Sequence, residues 1–134
     1  MSPIIALKAA IRTALLADAT LTGQLGGPQV FDDVPRNAGT PYVVFGEASA
    51  RDNGTVSDAG HVTELVLTVW SRQGGSREAL AIGDRIAALV DDVALPLTGH
   101  RLVNGRVIAT DLRRQPDKDL TRVTLRLRLV TEVL

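Results

Sequence analysis

Ile4, Leu7, Ile11, Ala14 and Leu15 recur at spacings of three and four, the period of a helix with one buried face, while Lys8 and Arg12 fall on the other side. Ser2-Pro3 starts this helix well: a capping hydroxyl, then a proline whose missing N–H costs nothing there. A second short turn is expected over 18–25, capped by Asp18 or Thr20 and stopped by Gly26-Gly27-Pro28. The pattern then changes. Residues 29–33 read as a short strand, 35–41 as a loop rich in turn formers, 42–50 as a strand and 61–71 as a long strand of Val, Thr and Leu. Gly74-Gly75 breaks the chain and Ser76 offers a cap. Ala79, Ile82, Gly83, Ile86, Leu89 and Val90 then outline another amphipathic helix, ending near Asp91-Asp92 before Pro96. Residues 101–113 and 119–132 form the last two strands, joined by a turn at Gln115-Pro116-Asp117. The expected architecture is a single α+β domain over 1–134. It has a mainly antiparallel four-strand sheet against two helices, in the order α-β-β-β-α-β-β.

Two strands are apolar on both sides. Leu65, Leu67 and Val69 share one face of the 61–71 strand, and Val62, Val66 and Trp70 share the other. Two helices cover about one face of such a sheet, so something else should cover the second. A neighbouring subunit is the simplest cover, which makes Val62, Val66 and Trp70 candidate interface residues. The alternative cover is the 51–60 segment folded back. In the last strand Thr121, Val123, Leu125, Leu127 and Leu129 must face the helices, so Arg122, Arg126 and Arg128 share the opposite face. That face is either solvated or set against carboxylates of a neighbour, a role for which the planar guanidinium is suited. Between the second and third strands, Asp52, Asn53, Gly54, Thr55, Val56, Ser57 and Asp58 have Val56 as the one apolar anchor. They are expected to be disordered in a free subunit and to order against an assembly partner.

Composition narrows the function classes. Lys+Arg and Asp+Glu stand at 15 each in 134 residues, so the chain lacks the basic excess usual in nucleic-acid binders. The absence of cysteine removes disulfides, Cys-ligated zinc and thiol catalysis. No signal-peptide pattern and no apolar run of membrane-spanning length is read, so no membrane association is expected. His61 and His100 are the only histidines; each opens a predicted strand, is expected to be exposed at a turn, and has no G-x-S-x-G partner. Asp32-Asp33 on a strand would point to opposite faces, and Asp91-Asp92 sits where the helix dipole disfavours anions; both pairs are expected as exposed loop acids rather than metal ligands. Gly74-Gly75-Ser76 lacks the Gly-Lys-Ser/Thr of a phosphate loop. No cofactor, metal or catalytic residue is assigned, and an enzyme is not expected.

Several segments together resemble one family. They are Val30-Phe31-Asp32-Asp33-Val34-Pro35, Thr40-Pro41-Tyr42-Val43-Val44-Phe45-Gly46-Glu47, Leu67-Thr68-Val69-Trp70-Ser71-Arg72 and Leu97-Thr98-Gly99-His100-Arg101-Leu102-Val103. With the N-terminal helix, the helix opening Arg77-Glu78-Ala79 and the alternating final strand, the chain is similar throughout to the tail terminator, or tail-completion, proteins of long-tailed phages, prophages and gene transfer agents. The resemblance implies an α+β subunit of a homo-oligomeric ring, usually a hexamer. Such a ring sits on the tail tube protein, stops tube polymerisation and receives the head-side connector or stopper protein, with DNA only in transit through its lumen. It also implies assembly in the bacterial host cytoplasm and residence in the virion tail or neck. The alternatives are a neck protein on the head side and, from a different class, a small ligand-binding or enzymatic α+β domain.

Overall fold

The computed structural model describes residues 2–55 and 59–134. Helix α1 (Pro3–Leu16) is followed by α2 (Ala19–Leu25), strands β1 (Val30–Phe31), β2 (Tyr42–Asp52) and β3 (Gly60–Ser71), helix α3 (Arg77–Val90), and strands β4 (His100–Gln115) and β5 (Leu120–Val133). A single 3-10 turn, Pro116–Lys118, links β4 to β5. The sheet runs β1-β2-β3-β5-β4.

The α+β class holds, but the expected mainly antiparallel sheet of four strands against two helices is corrected. Among the described residues there are five strands and three α-helices, and the sheet is mixed. β1 pairs parallel with β2, Val30 opposite Val43 and Phe31 opposite Val44. The loop 32–41 carries the chain back to its starting end, so β1 and β2 run the same way; only strands joined by tight turns must be antiparallel. The order α-β-β-β-α-β-β becomes α-α-β-β-β-α-β-β, because 18–25 is a helix in its own right.

Local chemistry explains the helix ends. Ser2 Oγ accepts from Ile4 N at 3.2 Å and Asp18 Oδ2 accepts from Leu21 N at 2.9 Å. Gly26, at φ 75°, takes the left-handed position that ends α2. The expected cap at Ser76 is not made by its side chain. Gln73 Oε1 accepts from Glu78 N at 3.0 Å instead, and Ser71 Oγ donates to Glu78 Oε1 at 2.8 Å. A longer amide reaching forward has replaced the local hydroxyl.

All three helices lie over one face of the sheet. Leu7, Ile11 and Leu15 of α1, Leu21 of α2, and Ile82, Ile86 and Val90 of α3 enclose a core with Val43, Leu65, Leu67, Val69, Val123, Leu125, Leu127 and Leu129. Each such aliphatic side chain stabilises the fold by roughly 2 kcal/mol. Gly83 lets α3 sit close on β5: a Cβ there would stand 3.1 Å from Val123 Cγ1. Arg85 of α3 grips Asp18 with Nε at 2.8 Å and Nη2 at 2.6 Å, fastening the cap of α2 to α3.

Candidate assembly surface

Strand register sorts the sheet into two faces. Leu65, Leu67 and Val69 align with Leu127, Leu125 and Val123 on the helix-covered face, as their spacing predicts. The outer face is built in rows across β2, β3, β5 and β4. One row is Tyr42, Trp70, Arg122 and Arg113. Below it come Val44, Thr68, Thr124 and Asp111, then Val66, Arg126 and Ala109. Next are Ser49, Glu64, Arg128 and Arg106, and last Arg51, Val62, Val130 and Asn104.

The candidate residues therefore do share one face, but they differ in availability. Val62 and Val66 are only 3% and 9% exposed in the single chain, with Gly46 lying against the Val66 side chain. Trp70 and Arg122 are half-buried, and Arg126 and Arg128 are exposed. The Arg122 guanidinium lies 5.6 Å from the centre of the Trp70 ring, within the range of a cation–π contact.

The charges on this face are unevenly compensated: Glu64 stands opposite Arg128 in register, but several arginines face one another. Arg113 stands opposite Arg122, and Arg106 opposite Arg128, which is unfavourable for like charges. Arg106 is relieved by Asp91 at 3.0 Å, and Arg101 by Glu132 beside it. Among the described residues, none of Arg113, Arg122, Arg126 and Arg128 forms an ion pair. Arg113 escapes a sequence reading because β4 carries two bulges, at Leu102/Asn104 and Val107/Ala109, which move its partner along β5. Its signal is the pairing with Arg122, visible only once register is known.

Of the loop assigned to assembly, Asp52, Asn53, Gly54 and Thr55 are exposed. Asp52 Oδ1 accepts from Gly54 N at 2.9 Å, and Asn53 N donates to Gly60 O at 2.9 Å, which closes the β2–β3 hairpin. Val56, Ser57 and Asp58 lie outside the described residues.

The chemistry weighed from sequence finds little geometry to work with. The expectation of exposed histidines is corrected: His100 is buried, with Nδ1 3.3 Å from Thr98 O, and His61 is half-buried with a buried Nδ1. Both lie on strands that enter the sheet rather than on turns. Asp32 pairs with Lys8 at 2.7 Å. Asp91, expected as a free loop acid, accepts from Val107 N at 2.9 Å and Arg106 Nε at 3.0 Å. The Val107 amide, and then Arg106, hold its carboxyl below the usual aspartate value and offset the adverse helix dipole. Gly75 O accepts from Arg114 Nη1 at 3.1 Å and from Thr121 Oγ1 at 2.9 Å, so this glycine loop anchors the β4–β5 turn. No group of three or more potential metal ligands occurs among the described residues, and no helix is long and apolar enough to cross a membrane.

Comparison with known proteins gives the chain a family. No curated protein sequence matches the chain. A solved chain from a virion of a native gene transfer agent particle has 30% identity and a TM-score of 0.88, with 96% of each chain covered. Residues 9–132 match the family described as Tail completion protein gp17. With nearly its whole length matched, the chain belongs to this family of tail completion proteins.

Proposed function

We propose that the protein is a tail terminator: a subunit of a homo-oligomeric ring, of the order of a hexamer, that caps the tail tube and stops its growth. Membership in a tail completion family makes it a structural protein of a phage-type tail, at home in the virion tail or neck. The finer role goes beyond that. The observation that carries it is the outer sheet face, where Arg122, Arg126 and Arg128 stand in one strand and form no ion pair among the described residues, beside Val62, Val66 and Trp70. Unpaired arginines with an aromatic neighbour are the composition of an interface centre rather than of an idle surface. The gene transfer agent relative gives the fold a place in a particle of this kind.

In this reading the outer face meets the neighbouring subunit, and Arg126 and Arg128 pair with its carboxylates. The assembly loop, of which Asp52, Asn53, Gly54 and Thr55 are exposed, meets a neighbour or the tube. The completed ring offers its other side to the head-side connector, and DNA passes through the lumen. A neutral net charge suits a conduit that should not hold DNA through many phosphate contacts.

The test is Arg126→Glu with Arg128→Glu. The isolated chain should keep its helix and strand content, while particles show tails of uncontrolled length, seen by electron microscopy. Normal tails of normal length would remove the interface reading. Tails of correct length that fail to join heads would move the protein to the head-side neck.

A further inference from the structure

At one end of the outer face, where β3, β5 and β4 meet, Trp70, Arg113, Arg114, Gln115, Leu120 and Arg122 line a cleft. The guanidinium of Arg114 is already engaged, with Gly75 O, with Thr121 Oγ1 at 2.7 Å and with Asp119 at 3.4 Å. Those of Arg113 and Arg122 form no ion pair among the described residues, although they stand opposite each other in register. Asp111, one row away on the same face, forms no ion pair with either. Two like charges held side by side are relieved by one carboxylate placed between them, and the Arg122–Trp70 contact already orients one of the two. Trp70 and Leu120 add an apolar wall beside the Gln115 amide. The cleft thus calls for a carboxylate with an aliphatic side chain next to it. A run of phosphates would leave the apolar wall unused.

The same chain presents such a pair. Asp92 is exposed in the left-handed conformation, φ 56°, and Val93 beside it is 36% exposed. Asp92 spends its backbone N–H on Gly105 O at 2.7 Å, which fixes the turn to the edge of β4, and its carboxylate forms no ion pair among the described residues. Gly105 and Arg114 are far apart on one strand, about 25–30 Å at the usual rise per residue. A chain cannot fill its own cleft across that distance. A second copy can, and because the two patches differ the contact is head-to-tail, the kind that closes into a ring when the rotation permits.

We infer that the cleft of Trp70, Leu120, Arg113 and Arg122 receives the Asp92-Val93 turn of a second copy of this chain. This rests on the ring reading above and gives that ring one of its contacts. The test is charge exchange in assembled particles. Asp92→Arg alone and Arg122→Glu alone should each lower particle yield about tenfold or more, and the two together should restore it, as expected for a buried charge pair truncated on one side. Circular dichroism confirms that each variant folds. A second arm holds should a charge variant not fold: the chain has no cysteine, so Val93→Cys with Leu120→Cys and a short bis-maleimide should give a covalent ladder of subunits in particles. Unchanged yield from Asp92→Arg, or assembled particles without a ladder, overturns the contact and leaves the ring standing. Trp70 is the only tryptophan, so its emission reports this cleft alone. A saturable shift on adding duplex DNA to the free chain would assign the cleft to nucleic acid and overturn the inference. A wild-type chain that forms no ring in particles removes the ring and this contact together.

Discussion

The two faces of β5 differ in what their residues are for. On one, Val123, Leu125, Leu127 and Leu129 are fully enclosed beneath the helices. On the other, alternating with them, Arg122, Arg126 and Arg128 form no ion pair among the described residues. The first set has its partners within the chain and accounts for folding. The second forms no ion pair within the described residues, has only the Trp70 ring beside Arg122 and Glu64 in register with Arg128, and is the set left available to a partner. β3 repeats the contrast in milder form, since Val62 and Val66 on its outer face are shielded in the single chain while Trp70 is only half-buried. The lesson is that an apolar residue on an uncovered face need not be an exposed one. Long neighbouring side chains can shield it, and the unsatisfied charges become the better guide to the interface.

The strongest way to break this comparison is to place the same charge on each face of one strand. Val69→Glu puts an unpaired carboxylate in the core and should cost about 4 kcal/mol, enough to unfold much of the chain. Val66→Glu puts it opposite Arg126, where it can pair and reach water, so the isolated chain should lose only about 1 kcal/mol while ring assembly fails. Urea unfolding of both variants measures the difference. Equal losses would mean that Val66 belongs to the core of the single chain.

Truncation is the next test. Leu127→Ala should destabilise by about 3 kcal/mol through lost burial and the cavity left behind. Arg128→Ala, one residue along, should stay within about 0.5 kcal/mol because a solvated charge contributes little to the isolated chain. A loss above about 1 kcal/mol for Arg128→Ala would show that its stem supports the fold.

The smallest expected effect lies in the helical layer and is read by pH. Arg85 first, and then the Leu21 amide, bring the Asp18 carboxyl down from 3.8 to about 2. The folded value lies below the unfolded one, so this contribution is complete above about pH 4 and is lost as pH falls toward 2. Asp18→Asn should lower the melting temperature modestly near neutrality and flatten its decline between about pH 4 and pH 2. A decline as steep as that of the unmodified chain would show that other carboxylates govern the acid limb.

Much of this was legible from residue order. The 3.6-residue period located α1 and α3, and the period of two placed Leu65, Leu67 and Val69 against Val62, Val66 and Trp70 on β3, and the arginines apart from the leucines on β5. Those patterns follow from backbone geometry within one element, so a sequence can carry them unaided. Whole-chain likeness carried the family as well, because it needs only the right segments in the right order.

The remainder depended on residues far apart in the chain. The parallel β1–β2 pair rests on where a loop returns, and the placement of β5 between β3 and β4 on which strands find each other. Gln73 rather than Ser76 caps α3 because of how the loop folds back. Arg113 stands opposite Arg122 only because two bulges in β4 reset its register, and the burial of Val62 and Val66 on the outer face is a property of the folded chain. Periodicity assigns a residue to a face. Which side chains then share that face, and which charges are left without a partner, is decided by register and packing, and these exist only in the folded chain.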